Sequence, residues 1–330
     1  MKQKVNFGRG KQMKKLLVAM LGVALSLAVF ASEVTVMSVT AQQRYPWNGL
    51  VDITVTIQGA VADVAKCDCE FAATNSATKA AIPVEHITQN GDDTGSGTTW
   101  TRKYIWDAKA DVGAVKIDDV ALTVDAFIGV QLWANGPYWA TCNVGATKPE
   151  EYGYYFWWGD TVGYERNANN NGWISMKDST NYSFGKCPTY GKNNSQLQSD
   201  GYIDATGNLV AKYDAATAHL GAPWRMPTCA EFSALINNCD TELTSRNGVS
   251  GRLVKGRGAY ASKSIFLPAA GYGCDSYLDY LGSYGNYWSS TPYSGSYDAW
   301  SLSFDSGYFG RGNGKRREGQ SIRPVRGFAK

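Results

Sequence analysis

Histidine is almost missing from this chain: its 330 residues contain two, His86 and His219. That leaves few of the side chains that run acid–base or zinc chemistry near neutral pH. A basic excess is missing as well. The formal net charge is +3, but six of the 32 Lys and Arg residues (Lys2, Lys4, Arg9, Lys11, Lys14 and Lys15) precede Ala31, leaving 26 against 29 acidic residues. Such a balance gives no electrostatic footprint for neutralising phosphates and argues against a nucleic-acid partner. No G-X-Y period and no sustained heptad occurs, which excludes collagen and long coiled coils. With 44% hydrophobic and 13% aromatic residues the chain is also too apolar to be disordered.

One apolar run is present, residues 16–30, preceded by Lys14-Lys15 and followed by Val29-Phe30-Ala31 before Ser32. Charged, apolar and small-residue parts in that order read as a signal peptide over residues 1–31, with Met13 available as an alternative start. A spanning helix needs ~20 apolar residues, so no membrane span is expected in the mature chain. The expected location is periplasmic, cell-surface or secreted. Seven cysteines follow: Cys67, Cys69, Cys142, Cys187, Cys229, Cys239 and Cys274. An odd number makes no closed disulfide framework. Cys67-Asp68-Cys69 would place both sulfurs on one face of a strand, and without a second such pair or a nearby His its ordinary reading is structural. Cys229 and Cys239 bracket an expected helix, about 15 Å apart at 1.5 Å per residue, too far to pair.

Over residues 32–128 the pattern is β. Val51, Ile53, Val55 and Ile57 alternate strictly with polar residues, Val120, Leu122 and Val124 repeat the alternation, and residues 100–106 form another strand candidate. Turn chemistry fills residues 90–97. Short strands between turns over about 95 residues predict an immunoglobulin-like β-sandwich. After residue 128 the texture becomes rich in Gly, Tyr, Trp, Ser and Asn, as long ordered loops require. One helix is clearly marked there: Thr228 as N-cap, Glu231 at the third helical position, then Phe232, Leu235 and Ile236 as an apolar stripe.

Six motifs stand in order in this second part: Tyr138-Trp139-Ala140-Thr141-Cys142-Asn143-Val144-Gly145-Ala146; Tyr154-Tyr155-Phe156-Trp157-Trp158-Gly159-Asp160; Trp224-Arg225-Met226-Pro227-Thr228 with Glu231-Phe232; Phe266-Leu267-Pro268-Ala269-Ala270-Gly271-Tyr272; Tyr287-Trp288-Ser289-Ser290-Thr291; and Ser321-Ile322-Arg323-Pro324-Val325-Arg326-Gly327. Their order resembles the Fibrobacter succinogenes major paralogous domain family. The resemblance implies a C-type-lectin-like α+β domain over residues 129–330, related to the formylglycine-generating enzyme fold, with the strand at residues 322–325 closing the domain. The segment at residues 43–52, with Trp106-Asp107-Ala108, resembles an N-terminal module of multidomain secreted bacterial proteins. The expected fold is therefore mostly β with minor α, a sandwich followed by a lectin-like domain, and fold alone licenses no activity.

An oxidase of the formylglycine-generating type would need a reactive cysteine pair, but only Cys274 lies in the relevant part of the chain, with no neighbouring thiol or cation to activate it. His219 is expected to be structural. The Glu-Pro-Asn and Gln-Pro-Asp signatures of sugar-binding C-type lectins do not occur, and Asn167 to Gly172 reads as a flexible amide-rich loop, so no metal or cofactor is expected. What stands out is residues 272–308, where Tyr, Ser and Gly make up 22 of 37 positions, the mixture of rigid rings and small polar groups used by antibody paratopes. Trp288, Trp300, Leu302 and Phe304 are assigned to packing. The contact candidates are Tyr277, Tyr280, Tyr284, Tyr293 and Tyr297, with Asp275, Asp279 and Asp298. Lys315-Arg316-Arg317, broken by Glu318, is expected to be a solvated turn, and Arg225 a partly buried, paired, architectural charge. The reading is a non-enzymatic exported protein that binds an extracellular glycan or protein, the alternatives being a structural or adhesive surface component and, from another class, a cysteine-dependent oxidase.

Overall fold

A computed structural model of the chain describes residues 3–6, 34–46, 48–59, 67–76, 78–113, 120–167 and 172–327. The expected signal-peptide run at residues 16–30 and the tip of the amide-rich loop at residues 168–171 lie outside them. The protein is mostly β with few helices, and its chain divides into two compact units, Met1–Gly129 and Val130–Lys330.

The first unit contains two antiparallel sheets. One has the strand order β1-β9-β4-β5, built from β1 (Gln3–Asn6), β4 (Cys67–Asn75), β5 (Ala81–Ile82) and β9 (Val120–Ile128). The other runs β2-β3-β8-β6, from β2 (Thr35–Gln43), β3 (Leu50–Gln58), β6 (Ile87–Gln89) and β8 (Thr99–Asp107), with β7 (Thr94–Ser96) also paired to β8. The alternation in β3 works as its sequence requires: Val51, Ile53, Val55 and Ile57 are buried and the residues between them are half-exposed. These side chains meet Tyr104, Trp106, Leu122 and Val124 in one shared core. Turn chemistry at residues 90–97 is only partly realised as turn. Thr94–Ser96 instead forms β7, because Gly95 has no Cβ to strike the Thr99 carbonyl and the reversal moves to Gly97, whose φ is 65°.

The second unit is built from small antiparallel sheets around three cores. Its short strands β10 (Val130–Gln131) and β11 (Tyr138–Trp139) are joined by the C-terminal strand β23 (Val325–Arg326), and β12 (Tyr164–Arg166), β13 (Trp173–Ser175) and β14 (Asn181–Tyr182) make a second sheet. A third combines β15 (Asp240–Arg246), β16 (Val249–Lys255) and β17 (Ser264–Pro268). Next come the hairpin β18 (Tyr272–Cys274) with β19 (Tyr277–Asp279), and the meander β20 (Gly285–Pro292), β21 (Asp298–Phe304) and β22 (Phe309–Lys315). The longest of the unit's described helices is Cys229–Asn238. Thr228 Oγ1 accepts from the Glu231 N–H and the Glu231 carboxylate accepts from the Thr228 N–H, so the capping box read from the sequence is formed, and Phe232 and Leu235 are buried beneath it. Arg225 donates to both Glu231 carboxylate oxygens, at 2.7 and 2.5 Å. Residues of the six sequence motifs, among them Trp139, Phe156, Trp158, Leu267, Tyr287, Trp288, Ile322 and Arg323, are fully buried and form the scaffold.

Candidate functional site

Gly271 begins the local geometry at the Tyr-rich segment. Its φ is 61°, and a Cβ there would lie 2.1 Å from the Asp279 carbonyl oxygen, so only glycine lets the β18–β19 hairpin close on itself. The chain then turns through Tyr280, whose φ is 58°. Such a left-handed conformation is uncommon for a bulky L residue. It is held in place by hydrogen bonds to the Tyr280 carbonyl from the N–H groups of Ser283 and Tyr284 and from Ser283 Oγ, while the Gly282 N–H donates to Ala269 and the Gly271 N–H to the Tyr284 carbonyl.

This loop gathers three tilted rings. Tyr280 lies 5.9 Å from Tyr272 and 4.6 Å from Tyr284, centroid to centroid, and yet Tyr280 is 54% exposed. Beside Tyr284 opens a groove of about 760 Å³, lined on one side by Leu243, Thr244 and Ser245 of β15 and on another by Asp305, Ser306 and Gly307 after β21. Asp305 is fixed there because its Oδ1 accepts from the N–H groups of Gly307 and Tyr308, and Arg252 donates to its main-chain oxygen. Five of the eight sequence candidates, Asp275, Tyr277, Asp279, Tyr280 and Tyr284, belong to this hairpin and loop. Tyr277 and Asp275 are exposed and Asp279 is half-buried, opposite Tyr272 in the hairpin register.

The other three lie elsewhere. β20, with a register irregularity between Trp288 and Pro292, separates Tyr284 from Tyr293. Tyr293, Tyr297 and Asp298 sit at that far end: Tyr293 packs edge-on to Trp300, Tyr297 against Tyr190, and Asp298 Oδ2 accepts from the Asn313 amide. The eight candidates therefore make two surfaces at opposite ends of one meander. Trp288, Leu302 and Phe304 are fully buried and Trp300 is half-buried, in line with their assignment to packing.

The titratable groups near these loops are tuned by burial. Burial and the nearby Asp275 and Glu318 push the Cys274 thiol up, away from the thiolate a nucleophile needs. Burial draws the His219 imidazole below its ordinary value, and with its Nε2 3.0 Å from the Thr161 carbonyl and its ring against Tyr154 and Phe156 it serves packing. Asp160, buried in a turn, has its carboxyl pushed up to about 6 although it accepts from the Val162 and Gly163 N–H groups.

Sequence reading missed two groups. Arg316, expected in a solvated turn, is fully buried, because the main-chain oxygens of Thr189, Lys192 and Asp298 converge on it and no local pattern reveals them. The groove residues of β15 and the Asp305 turn were also missed, since nothing in their own sequence links them to Tyr284. The model of a domain of unknown function (DUF8237) matches residues 257–325, which take in the hairpin, the loop and the whole meander. No curated protein and no solved structure matches the chain.

Proposed function

We propose that the second unit is a non-enzymatic binding domain that recognises a carbohydrate through the Tyr272, Tyr280 and Tyr284 rings and the groove beside them. The observation that carries this reading is Tyr280. An L residue in the left-handed region costs about 1–2 kcal/mol, and here that cost holds a half-exposed aromatic ring at the centre of a three-ring cluster. Strain of this kind concentrates where a ligand is met. The groove falls within the ~300–1,000 Å³ range of small-molecule sites, and its lining of one ring, one aliphatic side chain, several hydroxyls and one carboxylate matches the alternating apolar faces and hydroxyl edges of a sugar.

The same proposal takes residues 129–330 as a C-type-lectin-like domain of the major paralogous type, residues 32–128 as an immunoglobulin-like sandwich, and the chain as exported through residues 1–31. Support for the first comes from the burial of the motif residues that carry the resemblance. Removal of a leader would also take away β1 and open that edge of β9.

A glycan array probed with the purified chain, with and without EDTA, tests the reading. Tyr284→Ala is expected to abolish binding while the far-end variant Tyr297→Ala leaves it intact, both remaining folded by circular dichroism. Failure of the wild-type chain to retain any glycan would overturn the carbohydrate reading in favour of protein adhesion or a purely structural surface role. Loss in both variants alike would remove the assignment to this groove.

A further inference from the structure

The first unit holds a cluster that the glycan reading does not use. Cys67 and Cys69 stand two residues apart on β4, so both side chains project from the same face, into the core shared with Tyr104. Cys67 is buried and Cys69 half-buried. Tyr104, 5% exposed, has a hydroxyl with no hydrogen-bond partner among the described residues, and that hydroxyl lies within electrostatic reach of the Cys69 sulfur. A buried hydroxyl without a partner is costly, on the order of 1–3 kcal/mol, and calls for an explanation. Arg102 completes the surroundings. Its Nη1 donates to the Cys67 carbonyl at 2.7 Å, and its Nε and Nη2 hold the Asp93 carboxylate.

The Cys67 thiol donates to the Asp68 carbonyl oxygen at 3.3 Å. Two outcomes are open to the two thiols, an internal disulfide or a shared soft cation, and strand geometry separates them. Side chains at i and i+2 of a strand have Cβ atoms roughly 6.5–7 Å apart, whereas a disulfide needs about 3.5–4.5 Å. β4 keeps an unbroken register with β9 through Cys67↔Ile128, Asp68↔Phe127 and Cys69↔Ala126, so the strand does not kink to close that gap. Two parallel sulfurs can bracket an ion without moving the backbone.

Among the described residues no group of three or more His, Cys, Asp or Glu gathers anywhere, and Asp68 points to the opposite face, with Oδ1 accepting from the Cys69 N–H. A four-ligand zinc site is therefore not built here. We propose that Cys67 and Cys69 form a two-coordinate site for a soft monovalent cation, Cu(I), with the Tyr104 hydroxyl donating to the Cys69 sulfur. All-sulfur ligation selects Cu(I) over harder ions. Binding forms two Cu–S bonds, releases the protons still held by the pair and involves no change of oxidation state. Arg102 offsets part of the negative charge that remains.

The test is anaerobic titration of the reduced full chain with Cu(I) in competition with bathocuproine disulfonate, followed by alkylation and peptide mapping. One equivalent is expected to be held per chain, with Cys67 and Cys69 protected from alkylation while Cys142, Cys187, Cys229, Cys239 and Cys274 gain no protection. Cys67→Ser and Cys69→Ser should each lose the ion, and Tyr104→Phe should keep the stoichiometry but weaken binding about tenfold, as loss of an outer-shell hydrogen bond does. Retention of the ion in either Ser variant, protection of other cysteines instead, or no retention by the wild-type chain would overturn the site. So would a mapped Cys67–Cys69 disulfide in protein kept under argon. Because protection is read on the wild-type chain, a variant that fails to fold does not decide the matter.

Discussion

Arg316 lies over Trp158 with its guanidinium carbon 5.1 Å from the ring centroid, and neither side chain reaches solvent. The guanidinium donates to main-chain oxygens of Asp298 at 2.9 Å, Thr189 at 3.0 Å and Lys192 at 2.6 Å. It ties the loop around residues 189–192 to the start of β21 and so fixes the far end of the meander. Burial pulls its pKa down from the ordinary guanidinium value.

Arg316→Lys keeps the charge but has three donors on a point-like head in place of a planar fork. Carbonyls left without donors cost about 1–3 kcal/mol each, so the substitution is expected to destabilise the protein by roughly 3 kcal/mol or more. At ~2–4 °C per kcal/mol for a unit of this size, the melting temperature should fall by about 10 °C. Calorimetry showing a loss below 1 kcal/mol would mean that the carbonyls find water or other donors.

Tyr280 yields a prediction with an inverted order. In most positions alanine is more stable than glycine, by about 0.5–1 kcal/mol. At Tyr280, whose φ is 58°, Tyr280→Ala keeps the backbone strain and loses the ring, whereas Tyr280→Gly loses both. The glycine variant should therefore be the more stable of the two by about 1 kcal/mol in chemical denaturation, and both should lose glycan binding. An alanine variant at least as stable as the glycine one would show that the loop relaxes and stores no strain.

Asp160 sets a pH dependence whose sign follows from its raised carboxyl. Its folded value of about 6 lies above the ordinary value of 3.8, so the folded state binds the proton more tightly than the unfolded chain. Stability from this group is fully present below about pH 4 and is lost as pH rises through 6. Relative to Asp160→Asn, the wild-type chain should gain about 2–3 kcal/mol between pH 7 and pH 4, read from denaturation midpoints at both values. If the difference stays flat, the Val162 and Gly163 N–H groups keep the carboxylate ionised against its burial.

Much of the local architecture was legible in the residues themselves. Val51 to Ile57 alternate because a strand presents successive side chains to opposite faces, and that period of two survives in the burial of β3. Thr228 and Glu231 specify a helix start because both partners of the capping box lie within four residues. Leu302 and Phe304 could be assigned to the core from strand alternation and Trp288 from the motif that carries the family resemblance, while Arg225 is paired as expected, its partner Glu231 lying six residues away. The Tyr-rich stretch was visible as composition, but its division into two surfaces was not, since it depends on β20 standing between Tyr284 and Tyr293.

What the sequence determined by itself is the set of features that close over a few residues: alternation, capping, turn glycines and the mostly β character with minor helix. Tertiary structure alone decided which polar groups are buried and which loops meet. Arg316 gathers oxygens from residues more than 100 positions earlier, Tyr284 borders a groove walled by β15, and Tyr104 comes to Cys69 from another strand. The physical reason is that a side chain's chemistry is carried by its own residue, whereas its desolvation and its partners are set by chain segments brought together only when the cores form. The same Arg that reads as a surface charge in Lys315-Arg316-Arg317 becomes an internal tie once five surrounding carbonyls, from Gly295, Ser296, Asp298, Thr189 and Lys192, have replaced its water.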